Sequence, residues 1–215
     1  MMVSPIYDYL LSLQLGLGSC VVPELRAVTA ELNSLIGSQI TPYFFYDSEI
    51  TDKITEQVQQ AMEEVDESFP EQIKQVKYPQ KIPIRGVLAY LRYEPILPQI
   101  TKENRSFLLK EGFPPQSVFR LDMQEALLGK VTPELRHVSV AVDPLRKKLF
   151  AHLIYDGKIS DLNRHLAQTA IQDSRISLPE YEMDSLIEQV DFPSDFTCRG
   201  NWLAYWRRER EFPGC

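Results

Sequence analysis

The residue types best suited to chemistry in this chain are three histidines, three cysteines, a run of carboxylates and two tryptophans. His137, His152 and His165 share no metal-ligand spacing with one another or with a cysteine, so no local metal site is expected. Cys20, Cys198 and Cys215 are odd in number, far apart and form no C-x-x-C pair. A disulfide framework is therefore not expected, and a reducing, cytoplasmic setting is. Cys198 precedes Arg199, whose charge could lower a thiol pKa, but a loop or core cysteine is the simpler reading. Gly16-x-Gly18 resembles a fragment of a dinucleotide-binding loop. It precedes a strand instead of following one and lacks the third glycine, so a helix C-terminus explains it better. No G-x-S-x-G or comparable nucleophile signature is present. These residues point to no catalytic centre, no cofactor and no metal.

Two surfaces remain as candidates for recognising a partner. Glu63, Glu64, Asp66, Glu67 and Glu71 cluster at the end of an expected helix, where carboxylates oppose the helix dipole and are slightly unfavourable for folding. Such a cluster suits a basic protein partner. Trp202 and Trp206 are expected on one face of the last strand with Ala204 between them, as a binding platform or as packing. The net charge of −7 argues against nucleic acid, whose phosphates are met by Lys/Arg clusters. No stretch reaches the ~18–20 apolar residues of a membrane span, and the N-terminus lacks a basic n-region. Composition specifies no oligomeric state.

The elements that position these residues are read from an internal repeat. Val22-Pro-Glu-Leu-Arg-Ala-Val-Thr29 matches Thr132-Pro-Glu-Leu-Arg-His-Val-Ser139 at an offset of 110. Tyr46-Asp-Ser-Glu-Ile-Thr-Asp52 matches Tyr155-Asp-Gly-Lys-Ile-Ser-Asp161 at 109. Gln75-Val-Lys-Tyr-Pro79 matches Gln189-Val-Asp-Phe-Pro193 at 114, as Arg85-Gly86 matches Arg199-Gly200. Leu88-Ala-Tyr-Leu-Arg92 matches Leu203-Ala-Tyr-Trp-Arg207 at 115. The order is kept and the offset changes only where loops are expected, which is how a duplicated domain diverges.

Each copy reads as α-β-β-α-β-β, an α+β fold with a four-stranded antiparallel sheet and helices on one face. Helices are expected over 4–18, 51–66, 116–129 and 160–173. Strands are expected over 25–32, 39–46, 72–78 and 86–92, and then over 134–142, 148–155, 185–191 and 201–208. Ile54, Val58, Ala61, Met62 and Val65 stripe one helix; Leu162, Leu166 and Ala170, with Thr169, stripe its counterpart. Residues 1–94 form the first repeat, 95–115 a structured linker with a short helix from Thr101 to Gly112, and 116–215 the second repeat. The histidines align with Ala27, Tyr43 and Glu56, and Cys198 with Ile84. Any site built on them belongs to one copy alone.

Ala126-Leu-Leu-Gly-Lys-Val-Thr-Pro-Glu-Leu-Arg-His-Val-Ser-Val140, Ile154-Tyr-Asp-Gly-Lys-Ile-Ser160, Tyr78-Pro-Gln-Lys-Ile-Pro83 and Ala89-Tyr-Leu-Arg-Tyr-Glu94 resemble the motifs of small single-domain bacterial proteins about one repeat long. Those proteins look like the stand-alone immunity proteins of bacterial toxin loci. The chain departs from the pattern at Val65-Asp-Glu-Ser-Phe69 and Asp173-Ser-Arg-Ile176, where a Glu-rich helix end is expected. The resemblance implies a non-catalytic inhibitor of a toxin, and the acidic net charge suits a basic toxin as partner. The alternatives are an enzyme with its site in a cleft between the repeats, using Cys198, His152 or His165, and a structural or adaptor subunit presenting the tryptophans.

Overall fold

A computed structural model describes residues 13, 22, 24–33, 39–63, 72–78, 80–83, 87–95 and 114–207. The chain divides into two compact units, Met1–Leu108 and Leu109–Cys215. The first contains β1 (Leu25–Asn33), β2 (Gln39–Tyr46), α1 (Asp52–Glu63), β3 (Gln72–Gln75) and β4 (Val87–Leu91). The second contains α2 (Pro115–Leu127), β5 (Leu135–Asp143), β6 (Lys148–Tyr155), α3 (Asp161–Asp173), β7 (Glu182–Gln189) and β8 (Trp202–Trp206). Of the helix expected over 4–18, only Leu13 is described; it is helical and fully buried. The expected linker helix, Cys20, Cys215 and the Gly16/Gly18 pair lie outside the described residues.

Both sheets have the same strand order, β3-β2-β1-β4 and β7-β6-β5-β8. The expectation of purely antiparallel sheets is corrected here. β3 runs parallel to β2, and β7 parallel to β6. Consecutive strands β1 and β2, like β5 and β6, pair antiparallel. A helix crossover instead carries the chain back to the starting end, so the next strand enters in the same direction. The two closing strands of each copy consequently sit at opposite edges and do not pair with each other.

The duplication extends to individual bonds. The β1–β2 ladder skips Arg26 and the β5–β6 ladder skips Arg136. A second irregularity falls between Val28 and Thr29 in one sheet and between Val138 and Ser139 in the other. Bulges of this kind re-aim side chains and are inherited with the fold.

In the second unit, Tyr155 Oη donates to the Asn163 carbonyl at 3.4 Å, which places the Tyr155, Leu153, Ala151 and Leu149 row of β6 on the helix-covered face. Helix α2 packs on β5, β8 and α3. Val138, Val140, Leu149, Ala151 and Leu153 are all fully buried there.

Helix α1 begins after Thr51, whose Oγ1 accepts from the Ile54 N–H at 3.3 Å. It buries Ile54, Val58 and Met62, as the periodicity requires. Helix α3 begins after Ser160, whose Oγ accepts from the Asn163 N–H at 3.1 Å. Its buried side is Asn163, Ala167, Ala170 and Ile171, while Leu162 is 45% exposed. Of the expected stripe, Ala170 is buried and Leu166 and Thr169 are half-buried, so the buried side is turned away from Leu162 alone. Burying small Ala167 and Ala170 allows α3 a close approach to its neighbours.

Candidate binding surface

The polar residues that the copies share are committed to holding loops against the sheets. Arg26 is almost fully buried. Its Nε and Nη2 donate to the two carboxylate oxygens of Glu94 at 2.5 and 2.6 Å. Its Nη1 donates to the carbonyls of Val76 and Gln80 at 2.7 and 3.0 Å. Arg136 repeats this on the carbonyls of Val190 and Ser194, at 2.7 and 3.3 Å. Each guanidinium also lies over an aromatic ring, Tyr78 for Arg26, and Phe192 and Phe196 for Arg136.

A second shared pair lies alongside. Arg92 Nη2 meets Asp47 Oδ2 at 3.2 Å, and Arg207 Nη2 meets Asp156 Oδ2 at 2.9 Å. The other oxygen of each aspartate accepts a loop N–H, from Tyr78 at 2.6 Å and from Phe192 at 2.9 Å. Burial pushes the Asp156 carboxyl up. The Arg207 hydrogen bond, the Phe192 N–H and the charges of Arg207 and Arg136 outweigh it and hold the group below its ordinary value. Asp47 is depressed by the matching balance of burial, Tyr78, Arg92 and Arg26.

A depressed carboxylate contributes stability above its unfolded value, about 3.9, and that contribution disappears as pH falls through the folded value. Asp156→Asn should therefore flatten the acid limb of the stability–pH curve below about pH 4 while lowering stability at neutral pH. Urea melts at stepped pH would check it; an acid limb identical to that of the parent would refute the coupling.

The divergent surfaces carry the candidates for recognition. Glu63 is exposed in the last turn of α1. Glu64, Asp66, Glu67 and Glu71 lie outside the described residues. The shared-face expectation for the tryptophans is corrected. The β8 ladder pairs Trp206 with His137 but Trp202 with Val140, with the irregularity lying between. His137 and Val140 face opposite sides of the sheet, so the tryptophans do too. Trp202 is 43% exposed, whereas Trp206 is half-buried with its ring 6.0 Å from that of His137.

The face of the second sheet turned away from α2 and α3 brings together residues far apart in sequence. His137, Ser139 and His152 are buried on it. Residues 194–201 cross over them as a strap. Cys198 Sγ is 3.4 Å from His137 Nε2, the Arg199 N–H donates to His152 Nδ1 at 3.4 Å, and the Gly200 N–H donates to Ser139 Oγ at 3.2 Å. His152 Nε2 lies 2.9 Å from Glu188 Oε2, so the ring donates there and accepts on its other nitrogen. His165 is exposed on α3 and takes no part. Among the described residues, no group of three or more His, Cys, Asp or Glu could hold a metal ion. No helix among them is long and apolar enough to cross a membrane.

Sequence reasoning named Cys198 and both strand histidines but could not join them, because 61 residues separate Cys198 from His137. The one available signal was alignment of the copies. His137 and His152 replace Ala27 and Tyr43 at positions whose partners lie across the same ladder.

Strand for strand, the two units define a tandem repeat of one small α+β module with a shared polar scaffold. The chain matches the MafI2 immunity protein family over residues 7–94 and again over 116–209, which is well over half its length. It belongs to that family, as a tandem-duplicated member. No curated protein matches the chain.

Proposed function

We propose that this protein is a non-catalytic immunity factor that binds a protein toxin and blocks it by covering the toxin's active site with an acidic, shape-matched surface. One observation carries the reading. Both repeats match an immunity protein family, while the polar side chains they share, Arg26/Arg136 and Asp47/Asp156, are engaged in intramolecular bonds. Recognition then falls to the surfaces on which the copies differ. The net charge of −7 suits a basic partner and would steer its approach.

The surface to test is the carboxylate cluster Glu63, Glu64, Asp66, Glu67 and Glu71. Reversing these to lysine should slow association with a toxin encoded at the same locus by about tenfold or more at low salt, and should flatten the salt dependence of the rate. Co-expression with that toxin should then no longer rescue growth. An unchanged rate and salt slope would exclude this cluster as the docking surface.

A further inference from the structure

We propose that Cys198 and His137 form a nucleophile–base pair, making Cys198 a site of covalent modification by small disulfides such as glutathione disulfide. The proposal is independent of toxin binding.

Three observations converge. First, the sulfur lies within hydrogen-bonding distance of an imidazole nitrogen, 3.4 Å away. A thiol beside a base is the arrangement that activates cysteine. Second, the two partners are exposed differently. Cys198 is exposed, whereas His137 is only 3% exposed. The nucleophile can therefore be reached by a reagent while its base is shielded from water. Third, the pair is held in place. The His137 ring is flanked by Phe196 at 5.1 Å and Trp206 at 6.0 Å between ring centroids. The two residues after Cys198 are tied to the sheet through His152 and Ser139. The first copy has Ala27 and Ile84 at the matching positions, so the second copy alone carries this chemistry.

Charged and titratable groups lie on each element beside the strap. His137 is on β5. His152 is on β6, with the Glu188 carboxylate of β7 on its far nitrogen. Arg199 and Asp195 are on the strap, and Arg136 is stacked under Phe196. The cations and the imidazole favour thiolate, and the carboxylates oppose it.

The step is thiol–disulfide exchange. The Cys198 thiol passes its proton to His137 Nε2. The thiolate attacks one sulfur of the small disulfide, a new sulfur–sulfur bond forms and the old one breaks. The departing thiolate takes the proton back from His137. Cys198 is oxidised to a mixed disulfide, and half of the reagent is reduced to its thiol.

The test uses the full chain with Cys20→Ser and Cys215→Ser, so that Cys198 alone reacts. Its rate with glutathione disulfide is measured from pH 5 to 10, in the folded protein and in urea. The folded protein should show a midpoint about one unit or more below the ordinary thiol value of about 8.5. At pH 7 it should react about threefold to fivefold faster than the unfolded chain, since a larger thiolate fraction is offset in part by lower nucleophilicity. His137→Gln should return the midpoint toward that of the unfolded chain, with far-UV circular dichroism confirming the fold. Arg199→Ala should move it less. A folded midpoint equal to that in urea overturns the proposal. So does a folded His137→Gln protein that keeps the lowered midpoint, or an Arg199→Ala protein that alone abolishes it. Should His137→Gln not fold, the folded-against-urea comparison and the Arg199→Ala profile decide.

Discussion

Glu94→Ala should destabilise the protein by about 3–5 kcal/mol. Arg26 and Glu94 each expose only 2% of their side chains, and their contact is bidentate. Removing the carboxylate strands a guanidinium that cannot lose its proton, with carbonyl dipoles as the remaining compensation. Arg92 also loses a contact with Glu94 at 3.1 Å. Set against a typical domain stability of about 5–15 kcal/mol, such a loss is a large fraction of the whole.

Replacing both partners, as Arg26→Met with Glu94→Met, should recover much of this, because an apolar pair removes the uncompensated charge. Recovery should stay incomplete, since Arg26 also fastens the 76–80 loop through two carbonyls. Urea unfolding of the parent, both single variants and the double variant would measure the coupling. A single-variant cost below about 1 kcal/mol would show that the pair does not anchor the first repeat.

Gly200→Ala should cost about 1–3 kcal/mol, for a steric reason. A Cβ at Gly200 would stand 2.5 Å from the Val140 nitrogen and 2.7 and 2.8 Å from the carbonyl carbons of Ser139 and Val140. All three are backbone atoms of a central strand, and they cannot rotate aside. The strap would have to rise, weakening the Gly200–Ser139 and Arg199–His152 hydrogen bonds. Amide exchange in residues 196–201 should accelerate with the loss of stability.

Gly157 makes the informative contrast. It has φ +68° and nothing within 4 Å of an added Cβ, so Gly157→Ala should cost about 1 kcal/mol from backbone strain alone and leave strap exchange unchanged. Strap protection that is equal in the two variants would contradict the close-approach account.

Much of the architecture was legible because duplication leaves two readings of one structure. The Pro-Glu-Leu-Arg and Tyr-Asp motifs identified the start of one strand, the end of the next and the helix that follows, and the structure puts Leu25, Leu135, Tyr46 and Tyr155 at those strand ends. Helix caps at Thr51 and Ser160 were equally clear, since capping is a local interaction within three residues. Less legible was the phase of α3. Apolar spacing favoured Leu162, but packing of small residues at Ala167 and Ala170 turned the helix away from it.

By itself the sequence determined the duplication, the α+β class and membership in a family of single-module proteins, all of which rest on local motifs and conserved spacing between the copies. Tertiary structure alone decided the parallel pairing of β3 and β7, the opposite faces of Trp202 and Trp206, and the meeting of Cys198 with His137. The physical reason is common to all three. Strand partners and bulges are chosen by how a whole sheet closes over its core, and a one-residue irregularity reverses every side chain beyond it without leaving a mark in the local pattern.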